Sequence, residues 1–308
     1  MATITRSSLP ALLDKGIDRN FGMGYNSYES VYPQLYEVID VNDGNREHYQ
    51  EVGGLGSSKL KAEGEKAYKD TVRQGYEVEI KHDVYALTYE ITFEQKSDNR
   101  YQEVLNRMLD LGRSQAETRE ILGADLFNKA FAASSYDFPT GQTVCGTAQK
   151  TLIGTTFANK GTAGSLSEGN LNLAFDDIRK FRQPNGFRMN AKPVALVCGP
   201  KLAHKADVLL NSTHKPEFGT NIFGHAVNTA RKGGSSYLPS GVIVSNYLTS
   251  DTAWFILTDQ KGLVFHNRTS PFIEKKIETE QASTLVTSLQ RFSNGIYDPR
   301  AIYGNAGA

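Results

Sequence analysis

From Asp98 to Ala133 apolar residues recur at helical spacing: Tyr101, Val104, Leu105, Met108 and Leu109, then Leu122, Leu126, Phe127 and Ala130. The pattern predicts one long helix, with Ser97 or Asp98 capping its start through a short side-chain oxygen. Glu103 with Arg107, and Arg113 with Glu117, stand one turn apart and are expected to pair on a solvated face. The middle, Arg113 to Glu120, is apolar only at Ala116. Such a helix spans roughly 50 Å at 1.5 Å per residue, longer than a compact domain usually needs. Its polar waist predicts a spine that crosses an open surface.

A second pattern precedes it. In YEVEIKHDVYALTYEITFE, Tyr76, Val78 and Ile80 share one parity, whereas Tyr85, Leu87, Tyr89, Ile91 and Phe93 share the other. A one-residue slip reverses the buried face of a strand, so the switch across Lys81 to Val84 implies a bulge or tight turn. Gly53, Gly54, Gly56, Ser57 and Ser58 and the charged stretch KLKAEGEKAYKDTVRQG lead into this segment. Together they predict a two-stranded projection with a charged tip, lying against another surface because a lone hairpin is marginal in water. A hairpin folded back on its own domain fits the pattern equally well. Upstream, a short helix is expected around Leu9 to Leu13. Pro33 and the scattered Tyr25, Tyr28, Tyr32 and Tyr36 suit an extended arm, or else strands and loops of the same subunit.

Downstream, Ser134 to Gly164 is rich in breaks. Leu166 to Gln183 reads as a helix with Leu171, Ala174, Phe175, Ile178 and Phe181 on one face, Ser167 as its cap and Gln183–Gly186 as its stop. Val194 to Cys198 is a short, wholly apolar strand suited to a buried central position, followed by a helix over Lys201 to Leu210. Asn211 to Ser240 is long, Gly-rich and weakly patterned. Strands are expected at Gly241–Leu248 and Ala253–Leu257, a hairpin from Phe272–Glu280 and Thr284–Phe292, and a short strand in IYDPRAIYG. No internal repeat is visible.

Composition removes several functions. Lys plus Arg and Asp plus Glu are 34 each among 308 residues, so no global basic field points to direct nucleic-acid binding, and only a local basic patch stays open. No apolar run approaches a membrane span, and MATITRSSLP lacks a signal-peptide core. Cys145 and Cys198 are the only cysteines, which indicates neither a disulfide framework nor zinc, and suits a reducing cytoplasm. The six histidines, His48, His82, His204, His214, His225 and His266, show no metal-ligand spacing. His214 and His225 leave a site open in the weakly patterned stretch, with surface or capping roles the stronger reading. No GxSxG surrounds a serine. The glycines before Lys59 match neither phosphate-loop spacing. Cys198 reads as a small buried hydrophobe, and Asp176–Asp177 as a solvated pair. No catalytic residue, cofactor or metal is expected.

The order of these elements resembles the major capsid proteins of tailed bacteriophages, which share the Hong Kong 97 fold. The matching segments are the hairpin Tyr76–Glu94, the spine Asp98–Ala133, the helix Leu166–Gln183, PVALVCGPKLAHKADVLLN, and the closing run from TAWFILTDQKGLVF through SPFIEKKIE and STLVTSLQRFSNGIYDPRAIYG. The likeness spans nearly the whole chain and rests on order and spacing rather than on a short motif. It implies an α+β subunit with an N-arm at 1–50 and an E-loop at 51–96. A peripheral domain with the spine helix would take 97–163 and 262–297, and an axial domain 164–261 and 298–308. The implied function is self-assembly into hexamers and pentamers of an icosahedral shell that encloses double-stranded DNA without sequence-specific binding. It is that of a structural protein and not an enzyme, made in the host cytoplasm and carried in the virion.

By the same resemblance, Lys59, Lys61, Glu63, Glu65, Lys66, Lys69 and Arg73 of the E-loop would contact neighbouring subunits. Portal and cement or decoration proteins are implied partners. The chain begins almost directly with the arm, so a separate scaffolding protein is expected. Some relatives join an E-loop lysine to an asparagine of the peripheral hairpin. Here that tip reads Glu280-Gln281-Ala282-Ser283-Thr284, without asparagine, and no such cross-link is expected. The alternatives are an encapsulin-type compartment, against which the long charged E-loop argues, and, more remotely, a soluble α+β enzyme.

Overall fold

The computed structural model describes residues 9–98, 100–212, 238–278 and 283–308. His214, His225, most of Asn211–Ser240 and most of the hairpin tip lie outside the described residues.

In chain order, helix α1 (Leu9–Asn26) and the short α2 (Tyr32–Leu35) precede strands β1 (Glu37–Asp40), β2 (Arg46–Val52), β3 (Gln74–Lys81) and β4 (Asp83–Ile91). The short α3 (Phe93–Ser97) leads into α4 (Tyr101–Asn128), followed by β5 (Gln149–Lys150), β6 (Thr156–Phe157) and α5 (Glu168–Arg179). Then come β7 (Pro193–Cys198), α6 (Pro200–Asn211), β8 (Val242–Val244), β9 (Trp254–Thr258), β10 (Leu263–Glu278), β11 (Ser283–Ile296) and β12 (Ile302–Asn305).

Two four-stranded sheets organise these elements, ordered β1-β10-β11-β4 and β12-β9-β7-β8. The first carries α4 on one face, and α1 lies against α4. The second buries β7 between β9 and β8, as its unbroken apolar run predicts. Phe127 of α4, Phe255 of β9, and Phe265 and Phe292 of the first sheet share one core between the sheets. Phe265 stacks on Phe292 with ring centroids 5.1 Å apart. On the far side of the second sheet, Trp254 and Ile256 meet Phe175 and Ile178 of α5 and Leu209 and Leu210 of α6. Ser167 caps α5 as expected, its side chain accepting from the Asn170 amide at 3.3 Å.

Three expectations change. First, the segment read as an extended arm is helical from Leu9 to Asn26, and it packs on the chain's own spine. Its glycines obscured the helix in the sequence because glycine is a poor helix former. Two glycines make the contact possible: a Cβ on Gly24 would run into the Leu109 carbonyl oxygen, and one on Gly112 into that of Phe21. Tyr32 and Tyr36 are buried against Phe265, and Tyr36 also meets Phe127 edge-on.

Second, the spine is not capped by Ser97 or Asp98. It starts after Arg100 without a side-chain cap, and Ser97 Oγ instead donates to the Glu94 carbonyl at 3.1 Å. The expected ion pairs are replaced by Arg100–Glu103 at 3.8 Å and Arg107–Asp110 at 3.5 Å. Arg113 Nε reaches Ser27 Oγ, and Glu117 accepts from the Tyr247 hydroxyl.

Third, the polar waist is not an open surface. Gln115, Arg119 and Glu120 are buried. Gln115 Nε2 donates to Ser288 Oγ at 2.6 Å, and Arg119 donates to Gln290 Oε1 at 2.8 Å and Asn267 Oδ1 at 3.0 Å. Glu120 Oε1 accepts from the Val31 amide at 2.7 Å and the Tyr32 amide at 3.2 Å. Burial raises the Glu120 carboxyl above its ordinary pKa, and these amides oppose the rise. Polar residues there are core residues whose partners lie far away in sequence.

Candidate intersubunit surface

The parity switch at Lys81–Val84 marks a change of sheet. Before it, β3 pairs with β2 in a separate antiparallel ribbon; after it, β4 pairs with β11 at the edge of the first sheet. Tyr76–Glu94 is therefore not one hairpin. The projection's arms are β2 and β3, and its tip is residues 53–73. The first arm, REHYQEV, shows no alternation of apolar with polar residues in the sequence. Its period-two burial, with Glu47, Tyr49 and Glu51 inward, is visible only when the inward partners are polar too.

Residues 53–73 run without regular pairing beyond the mouth of that ribbon. Asp70 organises them: its carboxylate accepts from the Gly56 amide at 2.6 Å and the Thr71 amide at 2.9 Å, and these bonds hold it below the usual carboxylate range. Lys59 Nζ sits 3.9 Å from the centroid of the Tyr68 ring. Asn185 Nδ2 donates to the Leu55 carbonyl at 3.0 Å and ties the root of the segment to the loop after α5.

The structure places Lys59, Lys61, Glu63, Glu65, Lys66, Lys69 and Arg73 together on this segment, all exposed. Apolar residues stand among them. Leu60 is 101% exposed, and Leu55, Tyr68 and Val72 are more than half exposed. A subunit that leaves these side chains in water gives up roughly 1.5–3 kcal/mol of burial for each large one. Such a strip marks a surface made to be covered.

Among the described residues no group of three or more His, Cys, Asp or Glu could hold a metal ion. Cys145 and Cys198 are free and buried, and burial pushes the Cys198 thiol up to about 11 and Cys145 higher still. Asp177, expected to be merely solvated, accepts from the Tyr303 hydroxyl at 3.2 Å and from Lys180 at 2.9 Å. No helix among the described residues is long and apolar enough to cross a membrane.

A family model described as phage capsid protein matches residues 75–305. No curated protein matches the chain. Among solved structures, the chain resembles the virus-like particle from Pyrococcus furiosus at 12% identity, covering 94% of this chain and 98% of that one with a TM-score of 0.53. It resembles the capsid of the cyanophage P-SCSP1u at 14% identity, with 91% and 88% covered and a TM-score of 0.57. For the capsid of the native GTA particle the values are 12%, 91%, 91% and 0.55. Identities this low carry the fold, and the family model carries the membership. With two sheets, a long helix laid across one of them and an uncovered projection, the chain belongs to the phage capsid protein family and has the α+β, Hong Kong 97-type capsid fold.

Proposed function

We propose that this chain is the major head protein of a tailed phage, assembling as hexamers and pentamers into an icosahedral shell around double-stranded DNA. The observation that carries this reading is the 53–73 segment, whose apolar side chains Leu55, Leu60, Tyr68 and Val72 are each more than half exposed. In this reading it is the E-loop and lies over the adjacent subunit. Leu55, Leu60, Tyr68 and Val72 supply the buried area, and Lys59, Lys61, Glu63, Glu65, Lys66, Lys69 and Arg73 supply a charged rim that sets register. The loop's arms extend the assignment back to Arg46, and β4 passes to the peripheral domain. That domain otherwise takes 97–163 and 262–297, and the axial domain 164–261 and 298–308.

The mechanism is mechanical. Interfaces of ordinary size, roughly 1,600 Å² each, repeat around every subunit and act together. A balance of 34 basic and 34 acidic residues suits dense packing without self-repulsion. A separate scaffolding protein and a portal are the partners proposed for this role, with decoration or cement proteins as an additional class. It requires no catalysis and no cofactor, and the virion is where the chain resides. The family match is to phage capsids, which favours a viral shell over an encapsulin-type compartment. Negative-stain microscopy of the purified protein is the test. Closed shells tens of nanometres across are expected, and a compact monomer at high concentration refutes the proposal. Replacing residues 55–72 by a short Gly-Ser linker is expected to leave a folded subunit that forms no shells.

A further inference from the structure

Three successive inward side chains of β2 each land on a buried polar partner of the body. Glu47 Oε1 lies 3.6 Å from His82 Nε2, the Tyr49 hydroxyl 2.7 Å from His266 Nε2, and Glu51 Oε1 3.1 Å from Arg300 Nη2. His82 and His266 are 2% and 0% exposed, with ring centroids 5.6 Å apart. Ser293 Oγ stands between them, 2.9 Å from His82 Nδ1 and 3.3 Å from His266 Nδ1.

One hydrogen-bond direction suits this set, with His82 Nε2 left 3.6 Å from Glu47 and without a hydrogen-bond partner. Tyr49 donates to His266 Nε2, His266 Nδ1–H to Ser293, Ser293 to His82 Nδ1, and His82 Nε2–H then faces the Glu47 carboxylate. The reverse direction aims the His82 lone pair at that carboxylate. The relay thus begins and ends on β2, and it needs both imidazoles neutral, because each has one acceptor nitrogen and it is occupied. A proton added to His266 expels the Tyr49 hydrogen; one added to His82 expels that of Ser293. The facing charges are divided. Glu47 favours a charged His82 and outweighs Arg291 of β11 and Arg268 of β10, which oppose it; at His266 the facing His82 outweighs Glu47, and burial is the largest effect on both.

We propose that the Glu47–Tyr49 face of β2, with His82, His266 and Ser293, is a proton-sensitive latch that holds the 53–73 projection to its subunit near neutral pH and releases it in acid. Burial supports the direction: it depresses both histidines, His266 from 6.5 to about 4. An opened latch therefore binds protons that the closed latch excludes, so closure is favoured above about pH 6.5 and weakens as pH falls towards 4. Release as a change in shell contacts rests on the reading of 53–73 as an intersubunit loop.

Hydrogen–deuterium exchange on the full chain tests the latch. Corrected for intrinsic rates, the amides of 46–52 and 74–81 are expected to exchange about tenfold faster or more at pH 4.5 than at pH 7. Amides of α5 and β7 are expected to keep their protection. The double variant His82→Gln/His266→Gln is expected to flatten the response. Tyr49→Phe, which frees His266 Nε2 to take a proton while the latch stays closed, is expected to shrink the acid response even if the double variant does not fold. Equal β2 protection at both pH values, or an undiminished acid response in Tyr49→Phe, overturns the latch. Particle morphology at pH 7 is read separately: absent shells with an intact exchange response sink the shell reading and leave the latch standing.

Discussion

Arg119 Nε donates to Gln290 Oε1 at 2.8 Å across the α4–β11 contact, and Gln290 Nε2 returns a bond to the Gln115 carbonyl at 3.0 Å. The guanidinium also faces the Phe292 ring at 5.2 Å. A planar fork serves Gln290 and Asn267 together, and a lysine ammonium cannot reproduce that geometry. Arg119→Ala is expected to cost about 3 kcal/mol, because it orphans the buried Gln290 acceptor and the half-buried Asn267 one and opens a void. Arg119→Lys is expected to recover less than half of it. Urea denaturation of the subunit measures both.

The α1–α4 crossing is tested by glycine substitutions that differ only in place. Gly112→Ala puts a methyl group against the Phe21 carbonyl, so α1 is expected to detach despite alanine's helix preference of about 1 kcal/mol. A Cβ on Gly22 meets nothing within 4 Å. Gly22→Ala is therefore expected to stabilise by about 0.5–1 kcal/mol. Thermal unfolding and proteolysis after α1 separate the two.

Leu126 is 0% exposed in the core between the sheets. Leu126→Ala is expected to cost about 2–5 kcal/mol, and Leu126→Asp to abolish particles altogether by burying an unpaired charge. Intact shells from Leu126→Asp under the microscope would refute the packing described here.

Both thiols are buried, and Cys198 is held at about 11. A maleimide at pH 7.5 is expected to leave both unmodified in the folded protein and to label both in urea, since the thiolate is the nucleophile. Mass spectrometry counts the adducts, and rapid native labelling would contradict the buried positions.

Mature particles are expected to dissolve in denaturant to single chains. Lys59, Lys61, Lys66 and Lys69 are exposed, but residues 280–284 contain no asparagine to receive them. A ladder of covalent oligomers on a denaturing gel would overturn this.

The sequence by itself determined the elements whose periodicity is apolar. α4, α5 with its Ser167 cap, the central strand β7 and the hairpin β10–β11 follow from repeating hydrophobic positions, and their order carried the family resemblance. The parity switch at Lys81–Val84 located a real discontinuity, because the two-residue period of a strand cannot change face silently. Tertiary structure alone decided where polar residues go. Arg119, Glu120 and Gln115 look solvated in sequence and are buried, because their partners Gln290, Asn267, Tyr32 and Ser288 lie 88 to 173 residues away. Only the start of α1 is visible locally; its run on to Asn26 is not, because its glycines cost helix propensity and are repaid only by the close approach of α4. β2 is hidden for the same reason: its inward face is Glu47, Tyr49 and Glu51, polar side chains that become interior only once His82, His266 and Arg300 are in place.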